Sequence, residues 1–297
     1  MQRLRPFTIY RAKTTAEACA KLVELGEGTT VYAGGTELLI AMKLGMAHYL
    51  HLVDVKEIAE LRSITTGVDS VDIGACVTHR QLSRTAGLPG ALALLPKVAS
   101  RIGNPRVRTA GTIGGSLCFG DPRSDLAIVT AALDGECELA SPDGTRAVSV
   151  ADLIATSYAA DIQHAEILTK VRIGAFSDAW RFAYQKIQWD ERPLMGLAVG
   201  LREAAPGVIA EGRLALGGGD VPPQRFRLAE NLLSGPAQEL GERVADVAAS
   251  VNSAAAWTDG EGYSALYKAH LLAVLVRRTV MAAQGQTGKM TGNHTDD

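Results

Sequence analysis

The 297-residue sequence predicts an α+β protein. Three observations carry that expectation. A strand, a glycine turn and a helix follow one another near the N-terminus; two hairpin signals occupy the middle; alternating apolar runs precede a long amphipathic helix near the end.

Taken in order, Thr14 or Thr15 caps a helix that runs from Ala16 to Leu25 and stops at Gly26. A short strand, Thr30 to Ala33, leads into Gly34-Gly35. Leu38, Leu39 and Met42 then suggest one or two helical turns, and Tyr49 to Val55 reads as a buried strand. This is a β-α-β unit with a Gly-Gly-Thr turn between strand and helix. Ser63 to Thr66 and Val71 to Ala75 flank a Gly/Asp/Ser turn and read as a hairpin. Helical patterns follow over 78–85 and 91–102. From Gly103 to Ser124 the chain is polar, glycine-rich and without a period, and so reads as a long functional loop. Asp125 to Leu133 resumes helix, and Cys137 to Ala140 pairs with Arg146 to Val150 across Pro142-Asp143-Gly144.

A third region begins near Phe176. Alternating apolar runs at Arg181 to Ile187, Leu194 to Leu201 and Val208 to Leu216 give way to helices. The clearest helix spaces Tyr263, Leu266, Tyr267, Leu271, Val274, Leu275 and Met281 on one face, and is expected to pack on a three-stranded sheet. Beyond Gln284 the composition turns to Gly, Thr, Asn and Asp, which suggests a disordered tail.

With 47% hydrophobic and 21% charged residues, the chain can bury two or three domain cores. A net charge of −2 carries no nucleic-acid signature. No apolar stretch approaches the roughly 20 residues of a membrane span, and Met1-Gln2-Arg3-Leu4-Arg5-Pro6 lacks a signal-peptide core, so the expected setting is soluble and cytoplasmic. Cys19, Cys76, Cys118 and Cys137 form no C-x-x-C pair and have no histidine at ligand spacing. No metal or iron-sulfur site is expected within this chain, and redox chemistry would need an organic cofactor or another subunit. The thiols read as small hydrophobes, with Cys118 alone near a proposed site.

That site is suggested by two segments, Ala33-Gly34-Gly35-Thr36-Glu37 and Thr109-Ala110-Gly111-Thr112-Ile113-Gly114-Gly115-Ser116. Adjacent glycines beside a threonine suit a place where bare backbone N–H groups close around an anion, such as the diphosphate of a dinucleotide. Arg101, Arg106 and Arg108 precede the second segment and bias the field toward an anion. Charge-assisted hydrogen bonds net roughly 1.5–3 kcal/mol each, against about 12 kcal/mol for nanomolar retention, so one turn is too little and two converging loops are enough. Taken singly, each glycine pair reads as a tight turn. Neither fits G-x-G-x-x-G and no G-x-x-x-x-G-K-[ST] occurs, so a Rossmann or P-loop domain is not supported, and spacing alone leaves the ligand open.

These residues resemble the FAD-binding medium subunits of the molybdenum hydroxylases. Ala33 to Leu39 looks like the first FAD loop of that family. Ile102-Gly103, Val107-Arg108, Gly111 to Leu117 and Asp121-Pro122-Arg123-Ser124-Asp125 look like the second. Tyr184-Gln185-Lys186 resembles a later strand that reaches the flavin, and the helix from Tyr263 to Arg278 resembles the C-terminal domain. The resemblance implies a PCMH-type, vanillyl-alcohol-oxidase-like FAD-binding fold of two subdomains, 1–60 and 61–175. A C-terminal domain of a three-stranded sheet with a helical bundle, 176–283, and the tail, 284–297, would follow.

For the site, the resemblance implies that Ala33, Gly34, Gly35, Thr36, Glu37 and Leu38 hold the cofactor together with Thr112, Gly114, Gly115 and Ser116. Asp121 and Asp125 would contact it, Leu168 would lie near the ring system, and Lys186 would lie near the flavin. Read without the resemblance, Leu168 is plain core first, and Asp125 is also readable as the cap of the helix that starts there. Two positions depart from the family pattern: Ser116 stands where asparagine is frequent, and Gln188-Trp189-Asp190 where basic residues are usual.

The implied function is electron transfer on non-covalent FAD, with no catalytic residue on this chain. A large molybdenum-cofactor subunit and a small two-cluster iron-sulfur subunit would be the partners, in a dimer of heterotrimers, and would alone carry the metal centres. No Cys-rich insertion is present for a four-iron cluster, and His48, His51 and His79 read as ordinary strand or surface residues. The alternative is a free-standing FAD-dependent oxidase or reductase, which needs a positioned acid or base over the flavin.

Overall fold

Three sheets, each built from one run of the sequence, organise the chain. The computed structural model describes residues 4–189, 192–219, 221–260 and 262–285. The expectation of a disordered tail therefore falls, from residue 286 on, outside the described residues.

The first sheet joins β1 (Thr8–Arg11), β2 (Thr29–Tyr32) and β3 (His51–Asp54) in parallel, with β3 in the centre. Helix α1 (Thr15–Leu25) links β1 to β2; the Thr14 hydroxyl accepts from the Glu17 N–H at its start, and Gly26 at φ 63° ends it. Helix α2 (Leu38–Leu44) completes the expected β-α-β unit. Strand β1 has no counterpart in the sequence reading, since it is only four residues long and mostly exposed.

The second sheet is antiparallel: β4 (Ile64–Thr66), β5 (Ser70–Gly74), β6 (Glu136–Ser141), β7 (Gly144–Ser149) and β8 (Ile167–Gly174) lie in the order β4-β5-β8-β6-β7. Between β5 and β6 come α3 (His79–Arg84), α4 (Leu94–Ala99), α5 (Pro105–Ala110), α6 (Ile113–Phe119) and α7 (Asp125–Ala132); α8 (Val150–Leu153) follows β7. The stretch expected as a loop thus contains two helices, α5 and α6. Asn104 caps α5 by accepting from the Arg106 and Val107 N–H groups, and Thr112 caps α6 by accepting from Gly115. At six and seven residues neither is long enough to show a period.

In the third sheet, β9 (Trp180–Gln188), β10 (Pro193–Ala205) and β11 (Val208–Gly218) are the three long strands expected. Two short ones, β12 (Val221–Arg225) and β13 (Gly235–Pro236), add to β11, so the sheet has five strands. Both contain proline, which hid them and confines them to edge positions. After α9 (Arg227–Asn231), helices α10 (Leu240–Ala254) and α11 (Ala265–Ala283) cover one face; Val247, Val251, Leu272 and Val276 pack with Leu197, Val199, Leu214 and Leu216.

The segment between β5 and α3 positions the second glycine segment. Ala75 O accepts from Gly114 N at 2.9 Å, Val77 O from Ile113 N at 3.0 Å, and Gly111 O from His79 N at 2.9 Å. Glycine at 114 follows from this: a Cβ there would stand 2.6 Å from the Ala75 Cβ and 2.7 Å from its carbonyl oxygen. His79 is not the strand or surface residue expected. It opens α3, is only 5% exposed, and lies against Gly111, while its Nδ1 has no hydrogen-bond partner.

Replacing glycine by alanine inside a helix ordinarily gains about 0.8–1.0 kcal/mol. At Gly114 the overlap with Ala75 reverses the sign, and Gly114→Ala is expected to cost roughly 1–3 kcal/mol in urea denaturation; an unchanged or raised midpoint would contradict the packing. Burial holds the His79 pKa down at about 4, against about 6.5 in an unfolded chain. The unfolded state therefore takes up the proton first on acidification. His79's contribution is complete above about pH 6.5 and is lost as pH falls through about 4, a change of roughly 3 kcal/mol. His79→Leu should flatten this part of the stability-pH curve, and an identical slope in both proteins would rule the assignment out.

Candidate cofactor site at the two glycine loops

The two glycine segments touch. A Cβ on Gly34 would stand 2.2 Å from the Ala110 carbonyl oxygen and 2.9 Å from the Gly111 Cα, so the peptide chains meet with no room for a side chain. Gly35 adopts φ +69°, and a Cβ there would meet the Tyr32 ring at 2.5 Å. Beneath that ring lies the Lys56 ammonium, 3.8 Å from its centre. Lys56 is in turn held by the buried Asp54 carboxylate at 2.8 Å. The ends of β2 and β3 thus build a floor for the first loop.

The loops differ in what they offer. Among the described residues, no backbone carbonyl accepts from the N–H groups of Ala33, Gly34, Gly35, Thr36 or Glu37, and the start of α2 has no side-chain cap. The Thr36 hydroxyl likewise has no partner among the described residues, while Leu38 is half-buried at the helix start. In the second loop the amides are committed. Ile113 N and Gly114 N donate to Val77 and Ala75, Gly115 N donates to the Thr112 hydroxyl at 3.1 Å, and Ser116 N donates to Thr112 O at 3.0 Å. The picture of two walls of free N–H donors is therefore corrected: the second wall spends its amides on starting α6. Thr112 and Gly114 are buried, whereas Gly115 is exposed and Ser116 half-buried, its hydroxyl 2.8 Å from that of Ser124.

Two charged groups flank the loops. In one, Arg192 donates to Glu37 Oε2 at 2.6 Å and to Asp121 Oδ2, and Arg123 donates to Asp121 Oδ1 at 3.0 Å and to the Tyr158 hydroxyl at 2.7 Å. Burial opposes the Arg192 charge, but Glu37 and Asp121 outweigh it and raise its pKa. In the other, Asp125 at 7% exposure accepts from the Tyr184 hydroxyl and from Lys186 Nζ at 2.8 Å. Burial and the Asp125 charge push the Tyr184 pKa well up, so it remains a donor. Asp125 does not cap α7; the Ser124 hydroxyl does, accepting from Ala127 N at 3.3 Å.

Of the expected site residues, all but Leu168 fall in these contacts or beside them. Leu168 is 4% exposed in β8, opposite Leu139 and in one core cluster with Ile113 and Leu117, which leaves little of it for a ligand. Arg108 also has a structural task, donating to the Ile102 and Gly103 carbonyls at 2.9 and 2.8 Å. Burial pushes the Cys118 thiol up to about 12, which leaves it inert. Where the family pattern suggested missing basic residues, Trp189 stacks on Tyr263 at 5.4 Å and Asp190 lies outside the described residues. The positive charge of that stretch is Arg192. Arg192, Tyr158, Tyr32 and Lys56 are the residues that motif reading missed. Only Arg192 had a signal, the expectation of basic residues after Tyr184.

Comparison with known proteins bears on this arrangement. The family described as FAD binding domain in molybdopterin dehydrogenase matches residues 5–175. The chain is 30% identical to the carbon monoxide dehydrogenase medium chain of Hydrogenophaga pseudoflava, over 93% of this chain and 96% of that one. It is 29% identical to the nicotine 6-hydroxylase medium subunit of Paenarthrobacter nicotinovorans, over 95% and 99% of the two chains. A solved structure, carbon monoxide dehydrogenase from Hydrogenophaga pseudoflava lacking the Mo-pyranopterin moiety of the molybdenum cofactor, shares the fold with a TM-score of 0.90 at 30% identity; the match covers 97% of this chain and all of that one. A family match across more than half of the sequence, with a relative aligned along nearly all of it, settles the kinship: the chain belongs to the FAD-binding medium subunits of the molybdenum hydroxylases.

Proposed function

We propose that this chain is the FAD-binding electron-transfer subunit of a molybdenum-containing hydroxylase or dehydrogenase. It accepts electrons from a small iron-sulfur subunit and passes them to an external acceptor, while a large molybdenum-cofactor subunit oxidises the substrate. A dimer of such heterotrimers, in the cytoplasm, is the assembly this reading entails; among the described residues no helix is long and apolar enough to cross a membrane. The observation that carries the reading is the row of open N–H groups from Ala33 to Glu37, seated on the Ala110–Gly111 peptide.

The donor set fits the diphosphate of non-covalent FAD. Side-chain-free glycines let phosphate oxygens approach the N–H groups, and the Thr36 hydroxyl adds a donor. At the second loop Gly115 is exposed, and the half-buried Ser116 would turn its hydroxyl from Ser124 to close over the same group. When bound, FAD supplies a ring system that takes up electrons and gives them back. Lys186 and Asp125 would set the charge beside that ring: the ammonium favours a reduced, anionic ring, and the carboxylate moderates it.

Production of this chain alone and with its two partner subunits tests the assignment. A complex containing FAD that oxidises substrate, beside a chain inactive alone, is the expected outcome; substrate oxidation by the chain alone would support the free-standing oxidase or reductase instead. In the complex, Lys186→Met should lower the flavin midpoint potential and Asp125→Asn should raise it. Potentiometric titrations in which both variants keep the wild-type potential would remove the pair from the site.

A further inference from the structure

We propose that Arg192 is a positioning residue of the FAD site, which neutralises Glu37 and Asp121 and ties the β9–β10 connection to both glycine segments. The inference rests on the reading of those loops as the FAD site. Glu37 follows Thr36 directly and stands at the cap position of α2, beside the open N–H groups. Its carboxylate would repel a phosphate held there. Asp121 follows the α6 segment and presents a second negative charge. Arg192 reaches both with different nitrogens, Nη2 to Glu37 Oε2 at 2.6 Å and Nη1 to Asp121 Oδ2. Arg123 takes the other Asp121 oxygen at 3.0 Å. Two carboxylates thus meet two guanidiniums next to an anion site.

The planar fork of arginine suits the task, because one side chain spans two carboxylates from separate segments. A lysine would satisfy one at a time. Arg192 lies between β9 and β10, so the same contact joins the strand that carries Tyr184 and Lys186 to the loop that carries the open N–H groups. Its side chain is 40% exposed, so replacing it should leave the fold intact.

The test uses the assembled complex, stripped of flavin and titrated with FAD, with affinity read from flavin fluorescence quenching and integrity from thermal unfolding. Arg192→Leu should weaken FAD binding at least tenfold, and the gap to wild type should narrow as salt is raised. Arg192→Lys should recover part of the loss, and adding Glu37→Gln to Arg192→Leu should recover more. Wild-type affinity in Arg192→Leu would overturn the proposal, as would a loss that neither salt nor Glu37→Gln changes. A wild-type complex with no affinity for FAD would overturn the reading of the loops, and the proposal with it.

Discussion

Everything in the site depends on one backbone contact, Gly34 against the Ala110–Gly111 peptide. At this spacing a methyl group would lie 2.2 Å from a carbonyl oxygen, far inside any tolerable separation. The contact therefore sets where the first loop can stand relative to the second. Each side of it is braced from behind. Tyr32, Lys56 and Asp54 support the first loop from the ends of β2 and β3. Ala75, Val77 and His79 hold the second loop through three backbone hydrogen bonds. Rigid support of this kind reduces the ordering cost of binding, so more of the interaction energy appears as affinity.

Burial explains why the loops divide their tasks. Residues 33–38 are half-buried, and water can satisfy their N–H groups until a ligand replaces it. Residues 111–114 are buried, where an unpaired amide would cost about 1–3 kcal/mol, and every amide from 113 to 116 has found an acceptor within the chain. The same rule governs Asp125. A carboxylate at 7% exposure needs both Tyr184 and Lys186, since an uncompensated buried charge is strongly destabilising.

Periodic elements were legible in the sequence, and short or proline-bearing ones were not. The β-α-β unit, both hairpins and the long strands announce themselves through spacing. Helix α11 was legible as a helix, but the face it buries carries Lys268, Leu272, Leu275, Val276 and Val280, whereas Leu266 and Tyr267 of the expected face are exposed. Helices α5 and α6 do not, because a cap and one or two turns leave no period, and the glycines of α6 argue against helix by propensity. Strand β8 is a different case: Val171 and Ile173 alternate with Arg172 and were available to be read. In the site, the glycines, Thr36, Asp125 and Lys186 were visible as residue types in an order. For Arg192 the only signal was the expectation of a basic residue after Tyr184; its contact with Glu37 spans 155 positions and follows from how the third sheet docks. Leu168 takes the plain-core place that an aliphatic strand residue suggests, in one cluster with Ile113 and Leu117.

The site draws on all three sheets. The first gives the open N–H groups, the second gives α6 and Asp125, and the third gives Tyr184, Lys186 and Arg192. Docking of the third sheet is also secured elsewhere, at Asp134, where α7 ends and Arg213 and Arg225 converge, Arg213 at 2.8 Å. Coupling between sites is reciprocal, so a ligand that needs the completed arrangement stabilises the docking of the third sheet by the same free energy that docking contributes to its binding. For a cofactor held there, retention and cohesion of the subunit would be one equilibrium. Charge pairs such as Glu37–Arg192 lie on both sides of it.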